Sequence, residues 1–185
     1  MQKTHRTACA ILPPYEVWEP IQAIREKHDR QIRRWMPHIN VLYPFVPQED
    51  FDRVEPLLRE VCAGIDPFEV TLAGFDRFHH GRGKYTMWLI PTPKEPLVEL
   101  ESRLREVVPH CDEQSRHSSG FTPHLSVGQL RGFDDVREFT KTQKGKWQPV
   151  KFVLDEIYII ERGAPPDDVF HFDRTIPLGA ADSAT

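Results

Sequence analysis

Short apolar runs, many of them ended by proline, alternate along the chain with stretches of helical periodicity. Runs with strand character lie at residues 7–13, 38–45, 67–78, 85–93, 121–130, 149–163 and 169–178. Apolar residues recur every three or four positions over residues 15–35, 48–65, 94–109 and 134–144, which predicts four helices. Because strands and helices are mixed, and residues 79–84 have the composition of a hairpin turn, the pattern predicts an α+β domain.

Two of the predicted strands contain almost the same short string. PHINV occupies residues 37–41 and PHLSV occupies residues 123–127. A histidine two positions before Ser, Thr or Asn is weak evidence alone, because nine histidines produce such matches by chance, as at His5. Agreement at a proline, a histidine, an apolar residue and a valine is far more specific. The repeat predicts two related halves, residues 1–92 and 93–178, within one domain.

The polar residues of each string are expected to share one face of their strand. Side chains at positions i and i+2 of a strand point to the same side, so His38 lies beside Asn40 and His124 beside Ser126. Two imidazoles with ordinary pKa values of about 6.5 can supply a base and an acid near neutral pH without a metal ion. In-line cleavage of a phosphodiester needs both, and Asn40 and Ser126 can donate hydrogen bonds to the phosphoryl oxygens. The pattern therefore indicates an acid–base pair in which either histidine could be the base.

The duplicated histidine string resembles the two-histidine (2H) phosphoesterase superfamily. PHINVLYPFVP and GFTPHLSVGQ are similar to its 2'-5' RNA ligase-like and RNA 2',3'-cyclic phosphodiesterase branch. The resemblance implies a bilobal, pseudo-symmetric α+β fold, with two antiparallel sheets facing each other across a central groove and helices outside. It also implies metal-independent hydrolysis of a 2',3'-cyclic phosphate, at an RNA end or in a nucleotide, or of a related 2'-5' linkage.

The resemblance carries over to four residues, with two departures. His38 and His124 match the catalytic histidines, and Ser126 matches the phosphate-binding hydroxyl. Asn40 stands where the family usually has Thr or Ser; its amide keeps a donor but lacks the compact hydroxyl. Gln129 stands where related sequences often carry a basic residue. Both departures bear on the choice of substrate more than on the class of reaction.

Two aromatic residues beside the strings are candidates for stacking on a base or lining the groove. Tyr43 follows His38 by five positions, so strict alternation places it on the opposite face unless a bulge or Pro44 turns it. Phe121 stands three positions before His124. Core packing is the alternative for Tyr43, and lining the entrance to the strand is the alternative for Phe121.

Basic residues cluster at two further places. The predicted hairpin contains Arg77, His79, His80, Arg82 and Lys84, and the first predicted helix contains Arg25, Lys27, Arg30, Arg33 and Arg34. The hairpin could guide an RNA end, but a solvated turn is the favoured interpretation, and a solvated face is favoured for the helix. The hairpin histidines have no further ligand at a suitable spacing, so no metal site is predicted. Arg131 is a candidate to compensate for Gln129, at a position whose direction the sequence leaves open.

Composition limits the class of protein and of partner. A hydrophobic fraction of 39% with 11 Phe and 4 Trp supports one folded domain over residues 1–178, followed by a flexible tail at 179–185. The net charge of −4 argues against a partner such as duplex DNA, but not against an RNA terminus or a small nucleotide. Three distant cysteines predict neither a disulfide framework nor a zinc site. No apolar run approaches the ~20 residues of a membrane span. We expect a soluble monomer without a cofactor, in the cytoplasm or the nucleus.

Two other functions stay open at this point. A non-catalytic nucleotide- or RNA-binding module could use the same groove, and Asn40 in place of a hydroxyl makes that alternative more credible. A Ser/His/Asp hydrolase built on Ser126 and His124 is the weaker alternative. Residues two apart on a strand lie side by side, which is a poor geometry for activating a nucleophile.

Overall fold

The computed structural model describes residues 2–116 and 120–179. Within these ranges, eight strands and four α-helices form a mixed α+β fold, which confirms the predicted fold class. The strands are β1 Thr7–Ile11, β2 Ile39–Leu42, β3 Phe68–His79, β4 Lys84–Thr92, β5 Leu125–Arg131, β6 Val150–Leu154, β7 Glu156–Glu161 and β8 His171–Pro177. The helices are α1 Trp18–His28, α2 Phe51–Ala63, α3 Lys94–Val107 and α4 Phe133–Lys144. The predicted tail lies outside the described residues from position 180 onward.

The described strands form one antiparallel sheet with the order β6-β3-β4-β5-β2-β1-β7-β8. We call β1, β2, β7 and β8 the first lobe, and β3 to β6 the second lobe. These lobes correspond to the two sheets that the resemblance implies, and the pairing of β2 with β5 at Ile39 and Leu125 joins them into one curled sheet. The division of the sequence near residue 92 stays a prediction, since each lobe is defined here by strand pairing and not by sequence halves.

The helices pack on one face of this sheet and form the main core with it. Helix residues Ile21, Phe51, Leu97 and Phe139 belong to the same buried cluster as Val41 and Val127 of the central strands. The opposite face, which we call the groove face, carries a smaller apolar cluster that includes Ala8, Ala10, Ile160 and Phe170. All three cysteines are buried and free. No helix of the described residues is long and apolar enough to cross a membrane.

Two predicted elements are shorter than the sequence pattern suggested. The first helix ends at His28 because the Asp29 carboxylate accepts hydrogen bonds from the Arg25 guanidinium and from the Gln31 N–H, which draws the chain out of the helical path. The predicted strand over residues 149–163 divides at Asp155 into β6 and β7. β6 pairs with β3 and β7 pairs with β8, so only β7 and β8 form the expected closing pair.

Candidate active site

The two histidine strings fold with the alternation that the sequence predicts. The apolar positions Ile39, Val41, Leu125 and Val127 are fully buried against the helices. The polar positions His38, Asn40, His124 and Ser126 are half-buried. Each strand therefore anchors itself through one face and presents its polar pair on the groove face.

The pairing of β2 with β5 brings the two polar pairs together. Ile39 and Leu125 are register partners in an antiparallel pair. Antiparallel geometry then places His38 across from Ser126, and Asn40 across from His124. The histidines are diagonal neighbours, and charge on His124 helps to lower the pKa of His38. Four residues from two distant strings thus meet where the two lobes join.

Both imidazoles are held by a backbone carbonyl two residues earlier in the chain. Nδ1 of His38 lies 2.7 Å from the Met36 carbonyl oxygen, and Nδ1 of His124 lies 2.8 Å from that of Thr122. A carbonyl oxygen only accepts, so Nδ1 of each ring carries a proton and, in the neutral form, Nε2 carries the lone pair. Nε2 lies on the ring edge away from this anchor, so each ring can exchange a proton at that atom.

His38 is enclosed by an aromatic stack. The Trp35 ring lies face to face with His38, at 4.3 Å between centroids and 15° between planes. Trp35 in turn stacks on Phe170 at 3.7 Å. Burial lowers the pKa of His38 to about 4, against the opposing effect of the Met36 hydrogen bond. His38 is therefore neutral at pH 7.

His124 meets aromatic rings at their edges. The centroid of the Phe78 ring lies 4.8 Å from that of His124, at an interplanar angle of 89°. The centroid of the Trp88 ring lies 6.0 Å from that of His124, at 66°. The Phe78 and Trp88 rings stack on each other at 5.1 Å. Burial also lowers the pKa of His124, while the hydrogen bond to Thr122 opposes this shift. Each histidine thus has its own aromatic pair, in a different orientation.

Asn40 contacts the reactive nitrogen of His38. Its Nδ2 lies 3.2 Å from His38 Nε2, and since Nε2 carries the lone pair, the amide donates to it. The amide retains a second N–H, which is free to bind a ligand. Its Oδ1 is buried and has no hydrogen-bond partner among the described residues. Asn40 is therefore suited to join His38 to an anion in the groove.

The two candidate stacking residues occupy different surroundings. The half-buried Tyr43 ring packs edge-on against Trp35 at 5.4 Å and 80°, so it lies in the groove-face cluster next to His38. Phe121 is only 4% exposed, so its ring has little free surface. Stacking of a base on either ring stays a prediction.

The sequence interpretation missed the residues that fix Trp35. Arg25, expected on a solvated face, is 1% exposed, so that part of the prediction is wrong. Its guanidinium donates to the Asp29 carboxylate at 2.8 Å and to the Trp35 carbonyl at 2.7 Å. Gln129 of β5 donates to the same carboxylate at 3.0 Å. The four-residue spacing of Arg25 and Asp29 was the available signal, since such a pair meets on one helix face.

Two other kinds of site find no support in the described residues. No hydrogen bond joins Ser126 to His124, which a serine nucleophile activated by that histidine would need. No three His, Cys, Asp or Glu side chains within residues 2–116 and 120–179 form a group that could hold a metal ion. The polar constellation at the β2–β5 junction is the candidate site that the geometry favours.

Comparison with solved structures identifies proteins that share this fold. TT0787 of Thermus thermophilus matches with a TM-score of 0.64 and 18% identity, over 96% of this chain and 99% of that one. E. coli LigT in complex with 3'-AMP matches with a TM-score of 0.63 and 18% identity, over 94% and 98%. LigT has also been solved with phosphate and with ATP. At these identities the likeness establishes the fold.

Sequence comparison gives the family. Putative phosphoesterase BH1439 of Halalkalibacterium halodurans is 23% identical over 153 residues, which cover 82% of this chain and 85% of that protein. Putative phosphoesterase GK0864 of Geobacillus kaustophilus is 25% identical over 158 residues, covering 83% and 88%. The family model of the 2'-5' RNA ligase superfamily matches residues 13–166, which include both histidine strings. The resemblance seen in those strings is therefore confirmed: the chain belongs to the 2'-5' RNA ligase superfamily of two-histidine phosphoesterases.

Proposed function

We propose that this protein is a phosphodiesterase that hydrolyses a 2',3'-cyclic phosphate, or a related 2'-5' linkage, by metal-independent acid–base catalysis with His38 and His124. Family and fold support phosphoesterase activity. The observation that carries the finer proposal is the pairing of Ile39 with Leu125, which sets the two histidines diagonally across one junction. The Nδ1 atom of each ring is held by the carbonyl two residues earlier, which leaves Nε2 of each ring as the atom for proton transfer.

We assign His38 as the base. Asn40 donates a hydrogen bond to Nε2 of His38, which is compatible only with the unprotonated nitrogen. The low pKa of His38, about 4, also keeps that nitrogen unprotonated at neutral pH. His38 Nε2 then removes a proton from water as the water oxygen forms a bond to phosphorus. For this step, the N–H of Asn40 must release the lone pair of His38 Nε2, so that the lone pair can accept the proton of the water.

His124 is then the acid. In its protonated form, the Nε2–H of His124 donates a proton to the ribose oxygen as the bond from that oxygen to phosphorus breaks, so the leaving group departs as a neutral hydroxyl. Negative charge grows on the non-bridging phosphoryl oxygens during this step. The second N–H of Asn40 and the Ser126 hydroxyl are suited to donate to those oxygens. After release of the product, exchange with solvent removes the proton from His38 and restores the proton on His124.

A small nucleotide or an RNA end is the ligand class that best fits this groove. The groove face places aromatic rings beside both histidines, and such rings accept nucleobases. The related LigT has been solved with 3'-AMP and with ATP, which supports nucleotide binding by this fold in the present chain. Tyr43 and Phe121 keep their proposed roles in stacking or lining, with Tyr43 better placed because it adjoins Trp35.

The proposal is tested by a panel of substrates assayed in the presence of a chelator. The panel comprises 2',3'-cyclic nucleotides, 3',5'-cyclic nucleotides and 2'-5'-linked dinucleotides. We expect turnover of the first or the third class without added metal. A strict requirement for a divalent cation would contradict the mechanism. Tight nucleotide binding without turnover of any member would instead establish the non-catalytic binding module.

A further inference from the structure

The strand register of the second lobe extends the groove face beyond the candidate active site. Across β4 and β5, Trp88 pairs with Ser126 and Lys84 pairs with Arg131. Lys84 and Trp88 are four residues apart on one strand, so their side chains share a face. Their partners share it too, although five residues separate Ser126 from Arg131, because a register shift beside Trp88 absorbs the extra residue. Arg131, whose direction the sequence left open, therefore lies on the groove face.

Lys84 and Arg131 form a cross-strand pair of like charges. Both side chains are exposed, and they are directly opposite each other in the register. Neither forms an ion pair with a carboxylate of the described residues. Like charges directly opposite each other destabilise an antiparallel pair. A bound anion would remove this repulsion, so the position is complementary to phosphate.

The surface between this pair and the candidate active site is suited to a nucleic acid strand. Lys84 is four residues from Trp88 along β4, which corresponds to ~13 Å. The intervening groove face carries His80 and Thr86, joined by a hydrogen bond of 2.9 Å, and the Phe78 ring stacked on Trp88. A pair of cations at one end and aromatic rings at the other are features of surfaces that bind single-stranded RNA.

Asp76, an acid on this part of the groove face, lies away from the cation pair. Asp76 pairs with Trp88, in the row of the sheet that also contains Ser126. Lys84 and Arg131 therefore place two positive charges at the base of the hairpin, in a different row of the sheet from Asp76. This separation gives the surface a direction, with a phosphate-binding end remote from the two histidines.

We propose that Lys84 and Arg131 bind the phosphate backbone of a single-stranded RNA whose reacting terminus lies between His38 and His124. The inference rests on the proposed function, and it specifies the substrate class as an oligoribonucleotide in preference to a mononucleotide. The hairpin, for which a solvated turn was the favoured interpretation, then contributes one of its basic residues to substrate binding. Arg77, another basic residue of the hairpin, pairs with the buried Met87, so it points to the helix side of the sheet.

The test compares a hexaribonucleotide that ends in a 2',3'-cyclic phosphate with the corresponding 2',3'-cyclic mononucleotide. For the wild type we expect a higher kcat/KM on the hexamer. In the double variant Lys84→Gln/Arg131→Gln, the ratio of the two kcat/KM values should fall about tenfold, mainly through KM for the hexamer. The slope of log(kcat/KM) against log[salt] for the hexamer should become shallower by about 1.4, as expected for two lost phosphate contacts on a single strand.

Arg77→Gln is the matched control, because it removes one cation of the same hairpin from the opposite face. We expect it to leave the hexamer-to-mononucleotide ratio within twofold of the wild type. A double variant that matches the wild type or this control would overturn the inference. If the wild type hydrolysed neither substrate, the proposed function would fail, and binding of a fluorescein-labelled hexamer would decide the inference separately. Loss of that binding in the double variant alone would support it, and equal binding would overturn it.

Discussion

The surroundings of His38 and His124 are alike in plan and different in detail. Both rings donate from Nδ1 to the carbonyl two residues earlier, and both adjoin a stacked aromatic pair. His38, however, lies face-on against Trp35, whereas His124 meets Phe78 edge-on. Only His38 has a polar neighbour hydrogen-bonded to Nε2 within the described residues, namely Asn40. The repeated string builds two similar proton-transfer groups, and the neighbours make them unequal.

The inequality matters because acid–base catalysis needs two different protonation states at one pH. Two identical histidines would both be charged or both neutral through most of the pH range. A ring whose Nε2 accepts from Asn40 and whose pKa is about 4 is suited to remain neutral. A ring without such a donor can more readily hold a proton. The comparison therefore predicts distinct consequences for matching changes on the two sides.

Loss of either imidazole should have the largest effect. We expect His38→Gln and His124→Gln each to lower kcat on a 2',3'-cyclic substrate by about 10²- to 10⁴-fold, the usual worth of one proton-transfer group. Steady-state kinetics measure the loss, and thermal denaturation at pH 7 checks that each variant is folded. Retention of activity within fivefold by either variant would remove that histidine from the mechanism.

Changes at Asn40 should have the next largest effect and should separate base from acid. For the wild type, kcat/KM should rise with pH near 4, as His38 loses its proton, and should fall again with a midpoint below about pH 6.5, as His124 loses its own. Asn40→Asp places a carboxylate beside His38 Nε2, which favours the protonated ring and raises its pKa. The rising limb should move to higher pH by about one unit or more, which lowers kcat/KM at pH 4 by about fivefold or more.

Asn40→Thr is the control for this experiment, because it supplies the hydroxyl usual in the family without adding charge. Its rising limb should stay within about half a unit of the wild type. Repulsion between the new carboxylate and a phosphate would lower the plateau of the Asn40→Asp profile without moving the limb. Movement of the falling limb in place of the rising one would reverse the assignment of the two histidines.

The sequence predicted the alternation within each histidine string better than the residues that hold the strings in place, for a physical reason. Alternation within a strand is a local property, so two residues of a string such as His38 and Asn40 could be placed on one face from spacing alone. The meeting of the two strings depends on the register of β2 with β5, which local patterns do not encode. The resemblance to a family supplied that step. Tyr43 shows the same limit, because its place beside Trp35 is set by tertiary packing.

The errors in the fold prediction arose where a side chain or a long-range contact competes with local propensity. Residues 29–35 continue the periodicity of α1, but the carboxylate of Asp29 binds Arg25 and the Gln31 N–H and ends the helix. The same carboxylate accepts from Gln129, a residue 100 positions away. Asp155 interrupts a run that has the pattern of one strand, because its carbonyl accepts from Leu178 and the chain passes from one lobe to the other. Long-range hydrogen bonds of this kind leave no periodic signal.

The free energy of unfolding at acidic pH should depend on the neutral state of the His38 ring, which burial favours. The pKa of His38 is about 4 in the folded protein and about 6.5 in an unfolded chain, so the unfolded state binds more protons between these values. The free energy of unfolding should therefore fall as the pH drops from 7 to 5, by about 1 to 2 kcal/mol from this residue. Denaturant titrations at pH 7 and pH 5 measure this fall. For His38→Gln, the free energy of unfolding should fall by about 1 to 2 kcal/mol less than for the wild type. The pH dependence of the free energy of unfolding should also become weaker in His124→Gln. An unchanged pH dependence in His38→Gln would contradict the burial argument.

The smallest expected effect is at Tyr43, the additional ring on the His38 side. Its hydroxyl makes a hydrogen bond of 3.4 Å to the His5 carbonyl oxygen, which is long and exposed, so Tyr43→Phe should change the free energy of unfolding by less than about 0.5 kcal/mol. The ring contact with Trp35 is retained, and kcat/KM should stay within twofold. Tyr43→Leu removes the ring, and if a base stacks there, KM for a nucleotide should rise about three- to tenfold at constant kcat. A tenfold loss of kcat in Tyr43→Phe would instead place the hydroxyl on the substrate, and would make the two sides of the site more unequal than Asn40 alone makes them.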